Sequence, residues 1–231
     1  MLKPMIVTKQ GRAVPAIRIP VRESIHYWSP EELQRIIANA PHIFAEVAFK
    51  IMACTGARVG ELLELTPSSF DGFHLVVRIP TLKQRTQQKQ QRQQRQQEQQ
   101  RQQEQQGQQK KPIRIVPIPY ELYDLVTRFA QAYNKKPDDR LITVSRQMVY
   151  RWVQEAARRA GLWDDRAHPH TFRHTFAMLC VKNGVSFWAL NDWLGHRDYM
   201  NTYVYVHLAA KDTVWDYPKD TFAYFAAAQS V

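Results

Sequence analysis

Between His168 and His207 the chain reads His-Pro-His-Thr-Phe-Arg-His-Thr-Phe-Ala, an apolar stretch, Trp193-Leu-Gly-His-Arg, and finally Tyr203-Val-Tyr-Val-His. This stretch constrains the fold more than any other. Thr171 to Lys182 has helical periodicity and is closed by Gly184, and Ser186 caps a second helix over Phe187 to Leu194. A short helix should follow that carries Tyr205. His170 and Arg173 are three residues apart, so on a helix they project from one face. Tyr205 comes nine residues after His196. Arginine, histidine and tyrosine together can hold a phosphate, move its protons and attack it. The stretch has no carboxylate pair, no metal-ligand cluster and no glycine-rich phosphate loop. It therefore points to phosphoryl transfer through a phosphotyrosine, with neither a metal nor a nucleotide cofactor.

The elements before it follow from local signals. Ser29-Pro-Glu-Glu is a capping box with proline at the first helical position, and Leu33, Ile36, Ile37 and Ala40 continue at helical spacing. A second helix is predicted over Phe44 to Cys54, broken by Thr55-Gly56-Ala57. Arg58-Val-Gly-Glu opens a third. Positive charge is unfavourable at a helix N-terminus unless it has a use, and a phosphate there would meet both the guanidinium and free backbone N–H groups. The competing reading is a surface arginine paired with Glu61. Asp71-Gly72 marks a turn. His74 to Pro80 and Pro112 to Ile118 read as strands. Between them, Gln87 to Gln109 is built of Gln-Gln-Arg and Gln-Gln-Glu triplets that cannot bury a core, so 85–110 reads as an insertion in a hairpin turn. A helix runs from Pro119 to about Tyr133. Ser145 caps another from Arg146 to Ala160, closed by Gly161. Its Arg146, Arg151, Arg158 and Arg159 lie beside Tyr150 and Trp152, which fits either a DNA-facing helix or a solvated basic face. The fold class is α+β, mostly helical, with a small antiparallel sheet.

Charge points to the partner. The net charge of +11 over 231 residues calls for an anion, with DNA or RNA first, although ribosomal and membrane-surface proteins share the balance. Cys54 and Cys180 sit in apolar patterns and read as small hydrophobes in a reducing cytoplasm. The start lacks a sustained apolar core for a signal peptide, and no run of about 20 apolar residues could cross a membrane. Residues 1–27, with Lys3, Lys9, Arg12, Arg18 and Arg22, read as a basic extended arm that either straps DNA or stays solvated. Residues 28–210 read as the main folded unit. Residues 211–231 form a tail helix exposing Phe222, Tyr224 and Phe225.

From about Trp28 to about Ala210 the chain resembles the catalytic domain of tyrosine recombinases, the phage-integrase family. Thr55-Gly-Ala-Arg58-Val-Gly-Glu-Leu is similar to its first arginine motif and His170-Thr-Phe-Arg173 to its His-x-x-Arg box. Leu194-Gly-His196 and Tyr205-Val-His are similar to its Gly-His and nucleophile segments. The resemblance implies a site-specific recombinase of double-stranded DNA, working as a homo-tetramer on DNA. A relaxing topoisomerase, or a DNA-binding protein with a relic site, are the alternatives. It implies that Arg58 and Arg173 clamp the scissile phosphate, that His170 and His196 hydrogen-bond it and assist proton movement, and that Tyr205 attacks phosphorus. Lys83 would protonate the departing 5′ oxygen, with Lys89, Lys110 and Lys111 as alternatives. His174 is read as structural support. Tyr199 and Tyr203 compete for the nucleophile's place, and the spacing favours Tyr205. Integrases of this family carry a separate DNA-binding domain before the catalytic one. Only about 27 residues precede the pattern here, so the arm, oligomerisation or another protein is expected to substitute.

Overall fold

Capping chemistry sets most element boundaries. In the computed structural model, residues 25–81 and 112–210 are described in full, together with the backbone of 5–7, 13–15 and 211–213. Helix α1, Pro30–Ala38, starts with both arms of the predicted box: Ser29 Oγ accepts from the Glu32 N–H at 3.2 Å and Glu32 Oε2 from the Ser29 N–H at 2.9 Å. Helix α2, Ile43–Thr55, starts one residue earlier than expected because His42 Nδ1 caps it from outside, accepting from the Ala45 N–H. Gly56, at φ 61°, ends α2 in the left-handed region. A single turn, α3, follows at Val59–Leu62.

Strands β3 (Phe70–Asp71), β4 (Val76–Pro80) and β5 (Ile113–Pro117) form an antiparallel sheet in that order, with Val77 opposite Val116 and Ile79 opposite Arg114. The strand expected from His74 begins at Val76. Asp71 Oδ1 accepts from the N–H groups of Phe73 and His74, and Leu75 has φ 51°, so those residues turn rather than extend. Helices α4 (Tyr120–Ala132), α5 (Arg146–Arg159), α6 (Pro169–Lys182), α7 (Phe187–Leu194) and α8 (Met200–Thr213) complete the described fold. Helix α6 begins two residues before the expected Thr171, since Pro169 suits its first position. Helix α8 has 14 residues rather than being a short helix. Strands Met5–Val7 (β1) and Ala13–Pro15 (β2) pair antiparallel within the arm that was expected to be extended.

Helix α2 buries Ala45, Val47, Ala48, Phe49, Ile51 and Met52, and packs on α4, α5 and α6. Helix α6 also packs on α7 and α8, which places it centrally. Trp28 and Phe49 both pack on Phe172, and the Trp28 N–H donates to Thr175 Oγ1, fastening the start of the domain to α6. Cys54 and Cys180 are half-buried against the same core. On α5 the four arginines and Tyr150 are exposed, but Trp152 is buried against His42, so it takes no part in a basic outer face. Lys83, Lys89, Lys110, Lys111, the rest of the insertion and the tail beyond Thr213 lie outside the described residues.

Candidate active site

The break between α2 and α3 delivers Arg58 to the N-terminal end of α3. Its backbone N–H donates to Glu61 Oε2 at 2.8 Å and its Nη1 to Glu61 Oε1 at 3.0 Å. The pairing with Glu61 is therefore real, but it is not a surface ion pair. Glu61 is fully buried and also accepts from Arg114 Nη2 at 2.7 Å. The neighbouring guanidinium groups hold its carboxyl below the usual carboxylate range against a large desolvation cost. Arg114 reaches further, donating from Nε to the Trp193 carbonyl at 2.7 Å.

Arg173 is almost wholly buried. Its Nη1 donates to the Gly56 carbonyl at 2.8 Å and its Nη2 to the Leu194 carbonyl at 2.6 Å. Burial and then the Arg58 charge push its pKa down to about 9, so it stays charged at neutral pH. It is a buried cation bonded to two carbonyl dipoles, which leaves its charge available to an incoming anion.

His196 follows Gly195, the left-handed cap of α7. Its Nδ1 lies 2.8 Å from Thr202 Oγ1, and Thr202 in turn donates to Asn191 Oδ1 at 2.8 Å. With its proton spent on Asn191, the Thr202 hydroxyl accepts, so His196 carries its hydrogen on Nδ1 and presents a bare Nε2. Burial, followed by the charges of Arg173, Arg58 and His170, depresses its pKa to about 3.

Tyr205, on α8, is buried, and its hydroxyl sits 2.9 Å from His174 Nδ1. Burial raises the phenol pKa, opposed by the charges of Arg173 and Arg58. His170 is exposed on α6, one turn before His174, with ring centroids 4.5 Å apart. Tyr199 is exposed among Phe187 and Trp188, and Tyr203 stacks on His207. Arg58 and Arg173 thus act electrostatically on both His196 and Tyr205, and His170 acts on His196, while Lys83 lies outside the described residues. Sequence reasoning passed over Arg114, Asn191 and Thr202. It also took His174 as support rather than as the partner of the phenol.

Residues 27–212 match the model of the phage integrase family. This chain belongs to that family. The tyrosine recombinase XerA of Saccharolobus solfataricus is 23% identical over 206 residues, covering 89% of this chain and 59% of that protein. The integrase-family chain therefore spans under two-thirds of that relative's length. Among solved structures, the catalytic domain of bacteriophage HP1 integrase superposes with a TM-score of 0.57 at 22% identity, covering 85% of this chain and 98% of that one. The XerH site-specific recombinase bound to its difH substrate, a pre-cleavage complex, superposes with a TM-score of 0.61 at 16% identity over 90% of this chain and 59% of that one. Both share the fold.

Proposed function

We propose that this integrase-family chain is the catalytic part of a site-specific recombinase that cuts and rejoins double-stranded DNA through a 3′-phosphotyrosyl link. The observation that carries this reading is that the charges of two guanidinium groups, Arg173 and Arg58, both act on one buried phenol, Tyr205. The forks of Arg58 and Arg173 hold the non-bridging oxygens of a phosphodiester and neutralise the charge that grows on them. Tyr205 Oη attacks phosphorus, the bond to the 5′ oxygen breaks, and Lys83 protonates the departing oxygen. His170 and His196 hydrogen-bond the phosphate. A phosphate anion offsets the cationic repulsion on His196 and raises its pKa, turning Nε2 into a donor. Exchange between two duplexes cuts four strands, one per protomer, which calls for a tetramer on DNA. The +11 charge supports the polyanionic partner, and two cysteines that read as small hydrophobes support a reducing cytoplasm as the place of work.

The test is covalent capture. The protein is incubated with a nicked duplex library randomised around the nick, denatured in detergent, and the protein-linked DNA is sequenced. The native chain should yield a recurrent sequence and Tyr205→Phe no linked DNA at all. A product that survives Tyr205→Phe and vanishes in Tyr203→Phe would move the nucleophile. Relaxation of supercoiled plasmid with no joining between two DNA partners would favour the topoisomerase.

A further inference from the structure

The phenol that this reading makes the nucleophile must lose a proton, and the residues carried over for that task are His170 and His196. His196 has its Nδ1 committed to Thr202. The Tyr205 hydroxyl instead rests against His174 Nδ1 at 2.9 Å. The two rings are tilted at 49° with centroids 5.8 Å apart, so the contact is made by the nitrogen and the oxygen and not by stacked faces. Arg173 and His174 are consecutive on α6. The first turns inward to Gly56 and Leu194, and the second faces α8 and Tyr205. One helical step therefore separates a phosphate clamp from the partner of the nucleophile.

Resting on the recombinase reading, we propose that His174 is the base that takes the Tyr205 proton as the phenol oxygen attacks phosphorus. In this step the Tyr205 O–H bond breaks and its proton passes to the Nδ1 lone pair of neutral His174. The oxygen's electron pair forms the new O–P bond. The P–O5′ bond breaks, and that oxygen takes a proton from a general acid, the part the recombinase reading gives to Lys83. His174 gains one proton and the acid loses one. Rejoining reverses both transfers. A positioned base is needed because burial raises the Tyr205 phenol, so phenolate does not form in advance at neutral pH.

Two measurements on the full chain test this. The first needs no DNA. In protein labelled with 3-fluorotyrosine, the Tyr205 resonance is the one lost in Tyr205→Phe. It should move with pH along the His174 titration, and that step should vanish in His174→Ala. A resonance indifferent to His174 overturns the pairing whatever the activity. The second uses the nicked randomised library. His174→Gln keeps a polar group against the phenol but takes no proton. Its covalent yield should fall by about 10²- to 10⁴-fold, the low-pH limb of the rate profile should disappear, and added imidazole should restore part of the loss in His174→Ala. Wild-type rate and pH profile in His174→Gln would overturn the base assignment. Faster cleavage in His174→Ala would overturn it too, making the contact a resting lock. An intact fluorine signal with no covalent product from the native chain would instead sink the recombinase reading and leave the pair as packing.

Discussion

His196 is held through its δ nitrogen, and that decides what it can offer. Asn191, Thr202 and His196 form a directed relay in which each hydroxyl and ring hydrogen is used once. Thr202 is fully buried, so its loss cannot be made good by water. Thr202→Val keeps the shape and leaves both the His196 N–H and Asn191 Oδ1 unpaired. Urea unfolding should show a loss of about 1–3 kcal/mol, and a loss near zero would mean that the relay carries nothing. The pH dependence has a definite sign. The unfolded chain protonates His196 near its ordinary 6.5, whereas the folded chain resists until about 3, so this residue subtracts stability as pH falls through that window. Bound phosphate narrows the window by raising the folded value. From the sequence, His196 and Tyr205 were visible as a spaced pair, but nothing marked Thr202 between them. A threonine in a helix carries no sign of which buried groups it will bridge.

At the scale of elements, the site is built on the carboxyl end of α7. That end leaves carbonyls without helical partners, and two arginines fill them: Arg114 bonds Trp193 and Arg173 bonds Leu194. Strand β5 supplies Arg114 by inverting the usual alternation. Ile113 and Ile115 are 62% and 56% exposed, while Arg114 and Val116 face inward. Read by alternation, Ile113 and Ile115 would face the core and Arg114 the solvent, the reverse of what forms, which is why Arg114 was illegible as a site residue. Arg114→Ala strips the buried Glu61 carboxylate of one of its two arginines and orphans the Trp193 carbonyl. It should cost about 3–5 kcal/mol in denaturant unfolding, and a cost under about 1 kcal/mol would class the pair with surface ion pairs. Gly56 shows the opposite balance of legibility. Thr55-Gly-Ala was readable as a helix stop, and Gly56 does adopt φ 61° with Phe176 only 2.6 Å from where a Cβ would stand. That its carbonyl would meet an arginine 117 residues later was not readable.

At the scale of the molecule, the sequence order of motifs foretold the fold, yet the contacts that make the site join residues 53, 79 and 117 positions apart. The packing of α6 on α2 and α7, and of β5 on α7, brings them together. The glutamine-rich insertion interrupts this architecture at a point already closed. The Thr81 N–H donates to the Pro112 carbonyl at 2.8 Å, extending the ladder one step past Pro80 opposite Ile113. Residues 82–111 therefore leave and return across a single hydrogen-bonded pair, and the hydrophobic core is drawn from either side of them. Closing a long loop costs entropy that grows only with the logarithm of its length. Deleting 87–109 leaves 82–86 and 110–111 to span the turn, and shortening the loop to that extent should return about 1 kcal/mol. For a domain of this size that corresponds to a thermal midpoint raised by about 2–4 °C. Because Lys83 survives the deletion, covalent capture should persist if that lysine is the acid. Calorimetry decides the architectural point: a lost or non-cooperative transition in the shortened chain would show that the segment contributes to the folded core and is not an insertion at all.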